Sequence, residues 1–248
     1  MAPDDAGDAM EPDQAMSGTL YGVGLGPGDP ELLTLKAVRL IQSADVLAYP
    51  ALQGGDSLAR SIAEQFIPDG IAEICIDVPM STAREPAQVA YDTAAEDIRK
   101  ALDAGKNVVC LCEGDPFFYG SFMYLFARMS KDHAVEVVPG VTSMTACAAL
   151  AGRPLVARNE VLTVLPGPLP EAELRTRLGS SDTLVMMKVG RHLPKLRHVL
   201  EDAGLSENAV YIERATMADE VRLPLSEAPE KAPYFSMILV TKGADPWL

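Results

Sequence analysis

The sequence has few basic residues for its length. Lys and Arg number 21 against 35 Asp and Glu, which leaves a formal net charge of −14 over 248 residues. General nucleic-acid binders gain affinity by neutralising phosphates with a basic face, so we expect no nucleic-acid partner. A local basic pocket can still bind an anionic small molecule, because short-range fields outweigh the net charge.

Metal-ligating residues are also scarce. The four cysteines show no CxxC spacing, and the chain has three histidines. His192 and His198 flank a basic stretch, a spacing more typical of a solvated helix face than of metal ligands. We therefore expect no metal site, find little support for hydrolytic chemistry, and interpret the cysteines as reduced core thiols.

Long apolar runs are missing too. No stretch reaches the length that spans a bilayer, and the acidic N-terminus lacks the basic and apolar regions of a signal peptide. We expect a cytoplasmic protein with no membrane partner. Residues 1–17 are acidic and show no periodicity, which predicts a disordered tail.

What the sequence does have is an alternation of strand and helix patterns. Hydrophobic residues make up 48% of the chain, enough for two modest cores. The pattern predicts two α/β domains, 18–138 and 139–248, each with a mostly parallel or mixed sheet of about five strands. Pro139-Gly140 marks the boundary. In the first domain we predict helices over 31–43 and 118–129 among others.

The stretch 106–121, KNVVCLCEGDPFFYGS, is the centre of the prediction. Its apolar run 108–112 predicts a strand buried on both faces, and Glu113-Gly114-Asp115-Pro116 breaks it. Gly114 lets a ligand approach the backbone, and ligands of open α/β sheets bind at the carboxyl ends of strands. A ligand site is expected here, although any α/β domain contains such turns.

A second glycine-rich turn follows the first strand, in YGVGLGPGDP (21–30). The dinucleotide-binding fingerprint requires glycines at the first, third and sixth positions, and it fails in every frame. This weakens the hypothesis of a nicotinamide-dependent oxidoreductase. A tight turn without a ligand and an adenosine or substrate site remain equally compatible with the local pattern.

Other polar residues have a structural and a functional interpretation. Thr142 or Ser143 can cap a small-residue helix or face a ligand. Lys188 ends an apolar strand and so lies at another carboxyl edge. The arginines near 153 and 191 are either solvated surface or ligands for carboxylates.

Five motifs in order resemble the tetrapyrrole methylases, the class III S-adenosylmethionine-dependent methyltransferases. They are GVGLGPGDPELLTLKA, CEGDPFFYGS, VVPGVTSMTACAALAGRPL, TLVMMKVGR and YIERATMADE. The resemblance runs from about Thr19 to Val240, and is greatest to the branch that methylates precorrin-2 at C20 in cobalamin biosynthesis. Uroporphyrinogen methylases show two glycines before the loop aspartate, whereas this chain has Glu113-Gly114, which argues against uroporphyrinogen III as the substrate.

The resemblance implies a cofactor cleft between two α/β domains, S-adenosylmethionine as methyl donor with S-adenosylhomocysteine as product, a tetrapyrrole substrate, and a homodimer. The positions that match cofactor-binding motifs are Pro27, Glu113, Gly114, Asp115, Phe118, Thr142, Ser143, Met187, Lys188, Ala215 and Thr216. For substrate we expect the glycine-lined face of the first strand to admit the macrocycle and arginines to bind its carboxylates, namely Gly24, Gly26, Arg153, Arg158 and Arg191. Tyr119 and Asp115 are the candidate catalytic residues. A cobalt-containing substrate, the activity of another tetrapyrrole methylase, and a tetrapyrrole-binding module without turnover are the alternatives.

Overall fold

A computed structural model describes residues 17–79 and 85–243. Residues 1–16 of the expected disordered tail lie outside the described residues. The first half of the chain alternates strands with helices, in the order β1 (Thr19–Gly24), α1 (Leu35–Gln42), β2 (Val46–Leu52), α2 (Leu58–Ala63), β3 (Ala72–Val78), α3 (Glu85–Asp103), β4 (Val108–Cys112), α4 (Phe122–Met129) and β5 (Ala134–Val138).

These five strands form one parallel sheet in the order β3-β2-β4-β1-β5. The central strand β4 is buried throughout, and its side chains alternate between two cores. Val108 and Cys110 pack on the side of α3 and α4. Val109 and Leu111 pack on the side of α1 and α2. The apolar run thus forms a strand that is covered on both faces, as its composition predicts.

From 139 to 243, the described part of the second half, there are five further strands and three α-helices, in the order α5 (Ser143–Ala151), β6 (Leu162–Pro166), α6 (Glu171–Leu178), β7 (Thr183–Met187), α7 (Leu193–Asp202), β8 (Ala209–Glu213), β9 (Val221–Pro224) and β10 (Ser236–Thr241). Its sheet has the order β6-β7-β10-β8-β9. Strands β6 and β7 are parallel, and the remaining pairs are antiparallel. The prediction of two α/β sheets of about five strands is confirmed.

The antiparallel direction of β10 has a geometric consequence. Ser236, its first residue, pairs with Glu213 at the end of β8, and Ile238 pairs with Met186 near the end of β7. The beginning of β10 therefore lies at the same edge of the sheet as the carboxyl ends of β7 and β8.

Two predicted helices begin later than their apolar patterns suggest. The helix predicted over 31–43 is divided: Asp29 caps a short 3-10 turn, and the Thr34 hydroxyl then accepts from the backbone N–H of Ala37, so that α1 begins at Leu35. The helix predicted over 118–129 begins only at Phe122, since Tyr119 has a φ of +57°. A residue in the left-handed conformation cannot be part of a right-handed helix, so α4 cannot start before Tyr119.

No helix within the described ranges is long and apolar enough to cross a membrane.

Candidate active site

A cavity of about 220 Å³ lies where the carboxyl edges of the two sheets meet. The first half contributes the loops after β1 and β4, and the second half contributes the start of α5, the carboxyl ends of β7 and β8, and the start of β10. Its lining residues are Pro27, Glu113, Gly114, Asp115, Phe118, Tyr119, Gly120, Ser121, Thr142, Ser143, Cys147, Met187, Lys188, Ile212, Arg214, Ala215, Tyr234, Phe235, Ser236 and Met237.

Three glycines hold the loops of the first sheet together at this edge. A Cβ on Gly24 would lie 2.6 Å from the backbone N of Gly140, and a Cβ on Gly140 would lie 2.1 Å from the carbonyl oxygen of Gly114. Two backbone hydrogen bonds between Gly26 and Gly114 add to this contact, at 2.7 and 3.2 Å. The ends of β1 and β4 and the segment after β5 are therefore in direct backbone contact.

The glycine-lined face of β1 is filled by the protein itself. A Cβ on Gly22 would lie 2.3 Å from the ring of Phe122, and Gly24 meets Gly140 and Gly114 as described. The space that the missing side chains leave is occupied by α4 and by neighbouring loops. That this face admits a flat macrocycle stays a prediction.

Asp115 organises the acidic loop. Its Oδ1 accepts from the backbone N–H groups of Phe117 and Phe118 at 2.9 and 3.0 Å, and its Oδ2 accepts from Gly140 N–H at 3.1 Å. Both carboxylate oxygens are thus engaged by backbone donors. Asp115 anchors the loop to the segment that leads into the second half.

Glu113 is the other acidic residue of the pocket. It is half-buried, and burial raises the pKa of its carboxyl above the usual range, an effect that hydrogen bonding to its own backbone and to that of Ala59 partly opposes. Together with Asp115 it gives this wall of the pocket an acidic character.

Left-handed backbone conformations concentrate around the cavity. Five residues other than glycine within the described ranges have a positive φ, and four of them line or border the pocket: Tyr119, Lys188, Arg214 and Thr216, with φ values of 57°, 55°, 45° and 72°. Such conformations each cost about 1–3 kcal/mol and persist where the surrounding structure imposes them, most often at functional sites. The pocket is therefore built from strained turns of both halves.

Lys188 and Tyr119 bring two of these turns together. Lys188 follows β7 in the second half, and its Nζ lies 5.2 Å from the centroid of the Tyr119 ring in the acidic loop. An ammonium over an aromatic face is attracted by the ring quadrupole. This contact joins the two halves across the cavity.

A buried network fixes the turn after β8. Glu213 accepts from the Tyr211 hydroxyl at 2.6 Å and from Nη2 of Arg214 at 3.0 Å. Nε of Arg214 also pairs with Asp219 at 2.8 Å. With its guanidinium held by two carboxylates, Arg214 borders the pocket without presenting a free charge to it.

Two further contacts position residues near the cavity. The Thr216 hydroxyl accepts from the backbone N–H of Asp29 at 3.1 Å, which ties the turn after β8 to the loop after β1. Thr142 caps α5 by accepting from Thr145 N–H at 3.4 Å, and it also lines the cavity. The structural and the functional interpretation of Thr142 are thus compatible.

Most of the residues that match cofactor-binding motifs line the cavity. Thr216 is the exception; it lies beside the cavity, in the turn that contacts Asp29. Tyr119, a candidate catalytic residue, also lines the cavity. The selected residues that line it are Pro27, Glu113, Gly114, Asp115, Phe118, Thr142, Ser143, Met187, Lys188 and Ala215.

The residues selected for the substrate lie elsewhere. Nη1 of Arg153 donates to the carbonyl oxygen of Asn208 at 2.8 Å, which makes it a structural contact at the end of α5. Arg191 lines a separate groove beside α7. Arg158 lies in the segment between α5 and β6, and Gly24 and Gly26 pack against backbone as described.

Several lining residues were not singled out from the sequence, chiefly Cys147, Ile212, Arg214, Tyr234, Phe235, Ser236 and Met237. Cys147 is buried, and burial raises the pKa of its thiol to about 12. The residues around 235 reach the pocket because β10 runs antiparallel to its neighbours. The only available sequence signal was the aromatic pair before that strand, Tyr234-Phe235.

The comparisons with known proteins agree on one family. The model of the tetrapyrrole (corrin/porphyrin) methylases matches residues 19–229. The precorrin-2 C(20)-methyltransferase of Sinorhizobium sp. is 46% identical over 237 residues, 92% of this chain and 97% of that protein. The cobalt-precorrin-2 C(20)-methyltransferase of Salmonella typhimurium LT2 is 36% identical over 231 residues, 92% of this chain and 98% of that protein. The crystal structure of uroporphyrin-III C-methyltransferase from Thermus thermophilus, complexed with S-adenosylhomocysteine, has a TM-score of 0.63 at 28% identity, covering 91% of this chain and 98% of that one. This chain belongs to the tetrapyrrole methylases.

Proposed function

We propose that this protein is an S-adenosylmethionine-dependent C-methyltransferase that methylates precorrin-2 at C20, giving precorrin-3A in cobalamin biosynthesis. The observation that carries the proposal is the meeting, in one cavity, of the acidic loop Glu113–Asp115 with the ends of β7 and β8. The similarity to precorrin-2 C20-methyltransferases supports the choice of substrate.

The cavity suits S-adenosylmethionine in shape. A Cβ on Gly114 would meet no atom within 4 Å, so the backbone of the acidic loop borders open space. A ligand can lie directly against the main chain there. Phe118 and Met187 offer apolar surface for the adenosyl group, and Ser143 offers a hydroxyl at the start of α5.

The charged residues of the cavity also suit S-adenosylmethionine. Glu113 and Asp115 place two carboxylates on the wall that would face a cationic ligand. When bound, S-adenosylmethionine supplies an electrophilic methyl group on a positively charged sulfur. The chain's own residues then have to orient the two reactants and exclude water from between them.

Positioning is the main contribution that we assign to the protein. A partly reduced tetrapyrrole has electron-rich enamine-like carbons, so it brings its own nucleophile. Holding the reacting atoms in line can lower the activation barrier by at most roughly 7–11 kcal/mol, the range that corresponds to measured effective molarities. The buried floor of the cavity, formed by Cys147, Ile212 and Met237, excludes water from the site.

The proton that C20 loses needs an acceptor. Both oxygens of Asp115 accept from backbone N–H groups, so its carboxylate is engaged in holding the acidic loop. Tyr119 lines the cavity and its ring is 41% exposed. Of the two candidates, Tyr119 is the better placed, and bulk water at the mouth is the simplest final acceptor.

The proposal includes an organisation for the whole protein. We place domains at 18–138 and 139–248, each built on one sheet, with the cofactor cleft between them. A homodimer is the state that the family resemblance implies, and we place it in the cytoplasm because the sequence lacks a signal peptide.

A labelling experiment tests the activity. The purified chain is incubated anaerobically with ¹³C-methyl S-adenosylmethionine and precorrin-2, and the product is analysed by NMR. A single labelled methyl at C20 is the expected result. Binding of the macrocycle without label transfer would instead indicate a tetrapyrrole-binding module.

A cobalt-containing substrate is the second candidate, since the Salmonella relative carries that name. The higher identity to the Sinorhizobium protein favours the metal-free substrate. Comparing kcat/KM for precorrin-2 and cobalt-precorrin-2 decides between them, and we expect the higher value for precorrin-2.

A further inference from the structure

We propose that the mouth of the cavity, formed by Tyr119, Lys188, Tyr234 and Phe235, is the macrocycle subsite: the ring of Tyr119 stacks on the tetrapyrrole, Tyr234 and Phe235 contact it from the other half of the chain, and Lys188 pairs with one peripheral carboxylate. This inference rests on the proposed function and names which residues bind its substrate. It replaces the arginines that the sequence suggested.

The lining of the cavity divides by depth. Cys147, Ile212 and Met237 are at most 3% exposed and form the floor. Tyr119, Phe235 and Tyr234 are 41%, 40% and 75% exposed, and Lys188 is exposed as well. A ligand that fills the floor therefore leaves these four side chains available to a second, larger ligand.

The charged residues also differ between the inner part of the cavity and its mouth. The carboxylates of Glu113 and Asp115 are half-buried, whereas the ammonium of Lys188 stands at the mouth. The acidic wall suits a sulfonium, and the basic mouth suits the carboxylates of a tetrapyrrole. Within residues 17–79 and 85–243, Lys188 forms no ion pair, and its Nζ contacts the ring of Tyr119. Its charge is thus available to a substrate.

The aromatic residues of the mouth pack in perpendicular pairs. Tyr119 packs edge-on against Phe118 at a centroid distance of 5.3 Å, and Tyr234 packs edge-on against Phe235 at 5.0 Å. One pair comes from each half of the chain. Because the two rings of a pair are perpendicular, a flat π-system can stack on one of them while the other meets its edge.

The alternative cations are less suitable. Arg214 is held by Glu213 and Asp219, Arg153 donates to Asn208, and Arg191 lines the groove beside α7. Lys188 is the cation that borders the cavity without a carboxylate partner in the described part of the chain. The strained backbone at Lys188 and Tyr119 is consistent with a requirement for this placement.

The test separates substrate from cofactor binding. Lys188→Met keeps the length and the apolar stem of the side chain but removes its charge. We expect KM for precorrin-2 and the Kd for uroporphyrin III, an air-stable, fluorescent octacarboxylate tetrapyrrole, each to rise about tenfold. The Kd for S-adenosylhomocysteine, measured by calorimetry, should stay within about twofold of wild type. Raising the salt concentration should weaken uroporphyrin binding to wild type more than to the variant.

Matched variants complete the design. Lys188→Arg restores the charge and should recover most of the affinity. Tyr119→Leu should weaken uroporphyrin binding about tenfold through lost stacking, whereas Tyr119→Phe keeps the ring and should retain that affinity. Lys131→Met, at an exposed turn after α4, is the control for loss of one positive charge.

The outcomes distinguish this inference from the proposed function. If Lys188→Met weakens S-adenosylhomocysteine binding and leaves both tetrapyrrole measurements unchanged, the lysine binds the cofactor and the subsite proposal is wrong. Unchanged values in every assay would overturn it as well. If wild type fails to methylate precorrin-2, the proposed function fails, and the uroporphyrin titrations still decide whether the mouth binds a tetrapyrrole.

Discussion

Asp115 Oδ2 accepts a hydrogen bond from the backbone N–H of Gly140 at 3.1 Å, and this contact ties the acidic loop after β4 to the segment that crosses to the second sheet. The same carboxylate holds the loop itself through Phe117 and Phe118. One side chain thus fixes the shape of the loop and its position relative to the start of α5.

Replacing Asp115 should therefore affect stability as well as binding. Asp115→Ala leaves three backbone N–H groups without their acceptor, and we expect the free energy of unfolding to fall by about 2–4 kcal/mol. Affinity for S-adenosylhomocysteine should fall at least about tenfold, because the loop loses its fixed shape. Urea denaturation and calorimetry measure the two effects. Asp132→Ala, an exposed residue, is the control; normal affinity in Asp115→Ala would show that the loop does not shape the cofactor site.

Gly114 permits a matched comparison with a glycine outside the cavity. Gly114 and Gly204 have φ values of +64° and +66°, and a Cβ on either would meet no atom within 4 Å. Alanine at each position should cost about 1–2 kcal/mol of stability for the left-handed backbone. Only Gly114→Ala should weaken S-adenosylhomocysteine binding, since its methyl group projects beside the cavity. Equal calorimetric affinities for the two variants would place the ligand away from Gly114.

The stability effect of Glu113 depends on pH. Its pKa is raised by burial, so the ionised carboxyl is less favourable in the folded than in the unfolded state. Stability is therefore lost as pH rises above the unfolded pKa of about 4.3, and the loss is complete above the folded pKa. Glu113→Gln should be more stable than wild type at pH 7, and the difference should shrink toward pH 4. Urea denaturation from pH 4.5 to 8 measures it, with the exposed Glu207→Gln as reference; a difference that grows toward low pH would contradict the assignment.

Cys147 should remain a thiol while it faces an alkylating ligand. Burial raises its pKa to about 12, so its thiolate fraction at pH 8 is roughly a thousandfold lower than that of a free cysteine. Because thiolates are the nucleophilic form, we expect a methyl donor in the same cavity to leave this thiol unmodified. Mass spectrometry after iodoacetamide treatment at pH 7–10, with N-acetylcysteine as reference, should show slow modification that accelerates with pH. Rapid alkylation at pH 7.5 would contradict this expectation.

The sequence determines the strands of the first sheet more clearly than the loops of the site. Val108–Cys112 is apolar at every position and is buried at every position, so composition alone located it. The late start of α4 could not be predicted from the sequence, because it depends on the left-handed conformation of Tyr119 and on the hydrogen bonds of Asp115. Single-residue conformations of this kind leave no periodic signal.

The sequence could indicate the cavity residues that follow strand ends, but not those whose position depends on the direction of a strand in the sheet. Glu113, Lys188 and Ala215 lie just after β4, β7 and β8, where an α/β sheet binds its ligands. Tyr234 and Phe235 reach the same cavity from the opposite direction, through a strand whose antiparallel pairing could not be inferred from its own residues. The sequence could not place the arginines relative to the cavity, because charge alone does not say which surface a side chain occupies.

The contact among Gly24, Gly114 and Gly140 limits how this enzyme can diverge. No substitution that adds even one carbon fits at Gly24 or Gly140, since the new atom would overlap main-chain atoms of a neighbouring loop. A single mutation at this corner therefore displaces the main chain of the site before it can add a contact to a ligand. A change of substrate preference is structurally easier on the opposite wall, where side chains form the surface.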